Sequence, residues 1–241
     1  VTIKPTPDQG YEVAQVTVTD QTGKPVGVTA KQNDTYTFKQ PAGKVRIEVT
    51  YQPIQPVKPS RSSPFTDVDQ GNWYYEAVRF VMENGLMSGY GSGQFGPNDS
   101  LSRAQLTQIL FNREGGPAVD WQMDFSDVSG EAWYAEAVRW AASRNIAGGY
   151  EDGTFGPDAP ITREQLAVML WRYSGCPAAG TELHFNDADE ISGFAREAMG
   201  WAAEKGILSG YDDGRLVPQG RATRAQAAQM LKNFIEDQEN S

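Results

Sequence analysis

The chain has 241 residues with 21 Lys/Arg against 31 Asp/Glu, and the imbalance is local: residues 1–64 hold eight cations against five carboxylates, leaving 13 against 26 for residues 65–241. So acidic a body repels polyanions at long range, which argues against nucleic acid but leaves room for a short-range Arg contact to one acidic group. One cysteine (Cys176) excludes an internal disulfide, one cysteine with one histidine (His184) leaves little for a metal or cofactor, and without a run of 18 apolar residues no membrane insertion is expected.

The chain starts at Val1 with no basic-apolar leader, which reads as a mature, trimmed or cloned fragment. Residues 11–19 alternate Val13, Val16 and Val18 with polar residues in an approximate period of two. A turn at Gln21-Thr22-Gly23-Lys24, the Val26-Gly27-Val28 segment, a second turn at Asn33-Asp34, and apolar Tyr36 and Phe38 follow. A last strand puts Val45, Ile47, Val49 and Tyr51 on one face. Residues 1–52 are therefore expected to form a small all-β module, a spacer or stalk without chemistry of its own. Residues 53–64, PIQPVKPSRSSP after the strand, read as an extended, semi-rigid linker.

The remainder is one unit repeated three times. Phe65, Phe125 and Phe185 recur at intervals of 60 and 60, and Arg103, Arg163 and Arg224 at 60 and 61, so one residue is inserted early in the third copy. Such a period predicts three copies of a helix-loop-helix unit, at 65–116, 125–176 and 185–237, that bury a shared core. In each, a Phe-x-Asp opening leads to a first helix with apolar positions Trp73, Ala77, Phe80, Val81; Trp133, Ala137, Trp140, Ala141; and Phe194, Ala198, Trp201, Ala202. That helix should stop at Gly85, Asn145 and Gly206, residue types that accept the left-handed position after a helix. A loop with Gly89-Tyr90, Gly149-Tyr150 or Gly210-Tyr211 connects to the second helix, for an expected six main helices of about 12 residues.

The second helices begin at LSRAQL, ITREQL and ATRAQA. Ser102, Thr162 and Thr223, each followed three residues later by Gln105, Gln165 and Gln226, predict capping boxes. Leu101 with Leu106, Ile161 with Leu166 and Ala222 with Ala227 occupy hydrophobic-staple positions. The arginines stand in the first helical turn, where the macrodipole disfavours a cation by about 0.3–1 kcal/mol. Two readings stand: each Arg folds back on a carboxylate of its own unit such as Asp99 or Asp158, or exposed guanidinium and free helix N–H groups form a site for a carboxylate or phosphate.

Trp73 and Trp133 read either as core residues at helical spacing or as platforms for a sugar face, and the hydroxyls of Tyr90, Tyr150 and Tyr211, beside turn glycines, either reach a groove or do not. Glu76-Arg79 and Glu136-Arg139 are solvated i,i+3 pairs. Glu151-Asp152-Gly153 and Asp212-Asp213-Gly214 lack the alternation of a calcium loop and read as turns. No catalytic constellation stands out, since no carboxylate recurs in a way that demands one.

Residues 65–236 resemble three consecutive S-layer homology (SLH) domains through FTDV…WYYEAV…GLMSGY…FGP…LSRAQL, FSDV…WYAEAV…NIAGGY…DGTFGP…ITREQL and FNDA…FAREAM…GILSGY…ATRAQA. The resemblance implies a mainly α fold, with the three repeats forming a pseudo-threefold spindle, and a secreted protein of the bacterial cell surface that is not an enzyme. It further implies a non-covalent anchor binding a pyruvylated, anionic secondary cell wall polysaccharide in inter-repeat grooves. The family's Thr-Arg-Ala-Glu motif maps onto Ser102-Arg103-Ala104-Gln105, Thr162-Arg163-Glu164-Gln165 and Thr223-Arg224-Ala225-Gln226, the arginines pairing with the ketal carboxylate. Gln replaces the family's Glu in all three copies. The third copy departs further, with Phe194 for Trp, Gly200 where Arg79 and Arg139 stand, and Leu216-Val217 for Phe-Gly, which marks its groove as the least suited. The chain is expected to be monomeric in isolation, with cargo N-terminal to it. A self-assembling lattice module and the non-catalytic part of a wall glycoside hydrolase are the alternatives.

Overall fold

The computed structural model describes residues 1–7, 11–31, 35–53, 63–178 and 183–240. It divides the chain into two compact units, Val1–Arg61 and Ser62–Ser241. The expected Asn33-Asp34 turn and nearly all of the Pro-rich linker lie outside the described residues.

The first unit is all antiparallel: β1 (Thr2–Ile3), β3 (Val28–Lys31) and β4 (Thr35–Phe38) pair in the order β1-β4-β3, and β2 (Tyr11–Asp20) pairs with β5 (Val45–Pro53). A bulge between Val13 and Gln15 explains the imperfect period of two in β2. It brings Val13, Val16 and Val18 opposite Tyr51, Val49 and Ile47, so both strands turn their apolar residues to one face. Among the described residues of this unit only Val18 and Phe38 are buried, and Ile47 and Tyr51 remain exposed. The Asp20 carboxylate closes the following turn by accepting from the backbone of Thr22 and Lys24.

The second unit is mainly α. First helices α1 (Tyr75–Glu83), α3 (Ala135–Ser143) and α5 (Arg196–Glu204) alternate with second helices α2 (Arg103–Arg113), α4 (Arg163–Tyr173) and α6 (Arg224–Glu239). The first helices are shorter than the sequence suggests, because the expected Trp73 and Trp133 precede them. Each ends as expected, with Gly85, Asn145 and Gly206 at φ of 66°, 57° and 66°. In the first, Leu86 N–H bonds Val81 O and Gly85 N–H bonds Met82 O, the paired bonds of a Schellman end.

The closest helix pairs join different repeats: α2 lies against α3, α4 against α5, and α6 against α1. At their starts the second helices are linked by a cycle of backbone hydrogen bonds: Ile161 N–H to Leu101 O (2.9 Å), Ala222 N–H to Ile161 O (2.8 Å) and Leu101 N–H to Ala222 O (3.1 Å). These three residues and their staple partners Leu106, Leu166 and Ala227 are fully inaccessible. At the other end, Arg113 of α2 donates to Gln238 of α6, the Tyr173 hydroxyl of α4 donates to Glu114 after α2, and Arg113 lies over the Tyr173 and Phe234 rings. Burial and the bond to Glu114 push the Tyr173 pKa up to about 12, so it stays a donor throughout the neutral range.

The loops explain the remaining recurrences. The Phe65, Phe125 and Phe185 rings lie so close over Gly89, Gly149 and Gly210 that a Cβ on Gly149 would stand 2.4 Å from Phe125 Cε1 and 2.6 Å from Thr154 O. Gly96 and Gly156 hold φ of 70° and 69°, and Val217 takes the same place in the third repeat at 52°. A β-branched residue there is strained. Gly149→Ala should therefore cost about 1–3 kcal/mol through overpacking, whereas Val217→Gly should stabilise by about 1 kcal/mol through relief of that strain. Thermal or denaturant unfolding of the two variants against the parent checks both signs.

Candidate functional site

All three expected capping boxes form. Ser102, Thr162 and Thr223 hydroxyls accept from the backbone of Gln105, Gln165 and Gln226, whose side chains accept in return from the cap backbone N–H. The remaining donors of the first turn are not free. Arg103 and Ala104 N–H groups bond Ala159 O and Pro157 O; Arg163 and Glu164 bond Gly220 O and Pro218 O; Arg224 and Ala225 bond Asp99 O and Pro97 O. The recurring Pro97, Pro157 and Pro218 thus supply carbonyls to the helix start of the preceding repeat in the cycle. The expected anion site built from open helix N–H groups is overturned.

The arginines are not exposed either. Arg103, Arg163 and Arg224 are 6%, 5% and 5% accessible. None folds onto a carboxylate of its own unit: each crosses to the next repeat and grips two backbone carbonyls. Arg103 donates through Nε to Phe155 O (3.0 Å) and through Nη2 to Gly148 O (2.8 Å). Arg163 does so to Leu216 O (2.7 Å) and Ser209 O (2.9 Å), and Arg224 to Phe95 O (2.9 Å) and Ser88 O (2.7 Å). A planar fork with fixed donor spacing suits two carbonyls as it would suit a carboxylate. Each guanidinium also lies over the tyrosine of the next repeat, 4.9 Å from Tyr150, 5.0 Å from Tyr211 and 5.1 Å from Tyr90. Burial lowers all three pKa values, while the neighbouring tyrosine and aspartate work in the opposite sense. Among the described residues Arg163 Nη1 donates no hydrogen bond, and Arg163 lines an open groove.

One recurrent group went unassigned in the sequence. The carboxylates of Asp67, Asp127 and Asp187 each accept two adjacent backbone N–H groups of their own repeat, from Phe95 and Gly96, Phe155 and Gly156, and Leu216 and Val217. They lock the loop whose carbonyl the arginine of the preceding repeat then grips. At Asp67 and Asp187 desolvation raises the pKa, but the backbone bonds outweigh it and the net shift is downward. The Phe-x-Asp spacing was visible, but its partners lie 28 to 30 residues away.

Beside Arg163 lies a groove of about 570 Å³ built from all three repeats. Trp73 and Asn98 come from the first, Arg163 from the second, and Tyr211, Gln226 and Gln229 from the third. Trp73, 63% accessible, is an open platform and not the core residue that helical spacing allows; Trp133 and Phe194 are similarly open at 64% and 57%. Tyr211, Tyr150 and Tyr90 are exposed as well. Gln226 Nε2 donates to the Tyr211 hydroxyl at 2.7 Å, whereas the Tyr90 hydroxyl donates to Asp99. The third repeat, whose sequence departs most, thus contributes the loop and helix start of this groove. Arg163 and the Trp73 ring can together meet a ligand with one acidic and one apolar side. Among the described residues no group of three or more His, Cys, Asp or Glu converges for a metal, and no helix is long and apolar enough to cross a membrane.

The S-layer homology domain model matches this chain three times, at residues 64–107, 124–167 and 184–228. Similar proteins include an endoglucanase of Bacillus sp. (strain KSM-635), 29% identical over 73% of this chain and 19% of its own length. A cellulosome-anchoring protein of Acetivibrio thermocellus is 27% identical over 72% of this chain and 39% of its own, and the S-layer protein sap of Bacillus anthracis is 26% identical over 69% and 20%. The chain therefore spans well under half the length of these relatives.

Replacing a gripping arginine should cost stability first. Arg163→Lys offers one point donor to two carbonyls, and each buried acceptor left unpaired costs about 1–3 kcal/mol; urea unfolding reads the loss. Acid should act through the aspartates. Because Asp67 and Asp187 titrate lower in the folded chain, their contribution is complete above the unfolded carboxylate value of about 3.9. It disappears as pH falls through their lower folded values. Melting temperature against pH should fall in that acid window, and less steeply in Asp187→Asn.

Proposed function

We propose that this chain, which belongs to the S-layer homology family and is a cell-surface protein, anchors its carrier non-covalently to the cell wall by holding an acidic wall polysaccharide between repeats. The three repeats stand about a pseudo-threefold axis as a spindle, a reading supported by the cycle of hydrogen bonds through Leu101, Ile161 and Ala222. The ligand class is a pyruvylated polysaccharide, whose ketal puts a carboxylate on an otherwise neutral sugar.

The observation that carries the reading is the groove shared by Arg163 and the open Trp73 ring. With Nε and Nη2 held on carbonyls, the Arg163 guanidinium is fixed in place, and its Nη1 side receives the carboxylate without losing side-chain entropy. The guanidinium is already largely desolvated, so the charged contact forms in a medium of lower dielectric than water. Trp73 takes the apolar face of the ring. The Thr223 hydroxyl, which accepts from Gln226 N–H, keeps its own proton to donate, and Gln226 adds amide donors. By the repeat register, Arg103 with Tyr150, Thr162, Gln165 and Phe194, and Arg224 with Tyr90, Ser102, Gln105 and Trp133, hold the corresponding places at the other two junctions.

Purified wall polysaccharide titrated into the protein should bind, and removal of the ketal should abolish binding. Trp73→Ala lies outside the helices and the core, so it should leave the melting temperature unchanged while weakening binding about tenfold, or 1.4 kcal/mol. Unchanged affinity on ketal removal defeats the reading. Ionic strength offers an independent check. Residues 65–241 carry 13 cations against 26 carboxylates and repel the polymer at range. Salt screens that repulsion more than it weakens a partly buried contact, so affinity should hold or rise between 50 and 200 mM salt.

A further inference from the structure

The repeat register gives the Arg163 groove a counterpart at each of the other two junctions, but the residues that fall there are not equivalent. The repeat register sets Ala225, which lines the Arg163 groove, in the same place as Ala104 beside Arg224 and Glu164 beside Arg103. Glu164 is 4% accessible, one of the few buried charged side chains. Its Oε2 accepts from Ser192 N–H at 3.0 Å and its Oε1 from the Ser192 hydroxyl at 2.8 Å. Among the described residues it has no cationic partner. Ser192 precedes the short turn Gly193–Ala195, in the stretch where the third repeat carries its extra residue. That turn packs against α4. The register sets two further exchanges at the same junction: Phe194 stands for Trp73, and Val168 for the Gln229 that lines the Arg163 groove.

We infer that Glu164, clamped by Ser192, closes the groove beside Arg103 to acidic ligands, so that the chain binds one fewer equivalent than it has repeats. The inference rests on the reading of the grooves as polysaccharide sites. Its physics is simple. A carboxylate standing where the sister positions have a methyl takes up room at the helix start, and its negative charge disfavours an acidic ligand there. Both oxygens of the carboxylate are held by Ser192, one of them by a backbone N–H.

The test is calorimetric titration with a monosaccharide probe, an N-acetylhexosamine carrying a pyruvate ketal, with unfolding curves taken in parallel. Alanine already occupies the sister positions, so Glu164→Ala is compatible with the fold. A Val168→Gln/Phe194→Trp chain should keep the wild-type stoichiometry. Adding Glu164→Ala to it should raise the count by one equivalent per chain. Ala225→Glu should lower the wild-type count by one. A wild-type count of three, a rise without Glu164→Ala, or no rise with it overturns the inference while leaving polysaccharide binding standing. No binding by any variant defeats the underlying reading instead.

Discussion

The helical unit depends on a cation placed where its own helix disfavours it. At the start of α2, α4 and α6 the macrodipole opposes an arginine by about 0.3–1 kcal/mol. The charge is tolerated because two carbonyls of the following repeat, and an aromatic face above them, receive it. Those carbonyls belong to a loop that is itself pinned by an aspartate accepting from the neighbouring N–H groups. Aspartate fixes the loop, the loop presents the carbonyl, and the arginine of the preceding repeat closes on it. With hydrogen bonds to a charged group contributing about 1.5–3 kcal/mol each, the arrangement outweighs the local helix penalty several times over.

Since this linkage runs from the first repeat to the second, the second to the third and the third to the first, no repeat is a folding unit. Each helix finds its partner in a neighbour. A lone copy would expose the faces of both its helices and leave the arginine without acceptors. Cyclic closure also removes the two uncovered ends that a linear stack of repeats must cap.

What was legible in the sequence was local chemistry. The capping boxes and the left-handed Gly or Asn after each first helix are decided within five residues, and they formed; the residues at the staple positions are all buried. The period of two in β2 was legible but irregular, and the irregularity is the bulge at Ala14. What was illegible was the destination of side chains across the chain: Arg103 reaches 45 residues ahead, and Arg224 136 residues back. Neither the inward acid partner nor the outward anion site foresaw backbone carbonyls as acceptors, because a carbonyl carries no residue identity. Trp73 was ambiguous for another reason. Its spacing to Ala77 fits a helix, but α1 begins at Tyr75, and outside a helix that spacing implies no common face.

Comparing the copies with one another separates architecture from ligand contact. The groups that hold the unit together recur unchanged: three arginines, three aspartates, three prolines and three glycines under phenylalanine rings. Positions that face the grooves drift, with Ala, Glu and Ala after the arginine, Gln, Val and Gln one turn on, and Trp, Trp and Phe on the rim. Drift there is tolerated because the load of folding rests elsewhere; Arg163 grips two carbonyls and also lines the groove, so on the proposed reading it serves both. On the polysaccharide reading proposed above, a single exchange such as Ala to Glu closes a groove while its arginine stays needed for the fold. On that reading the recurrence of arginine counts folding contacts before it counts working sites, and the variable residues around it carry the specificity.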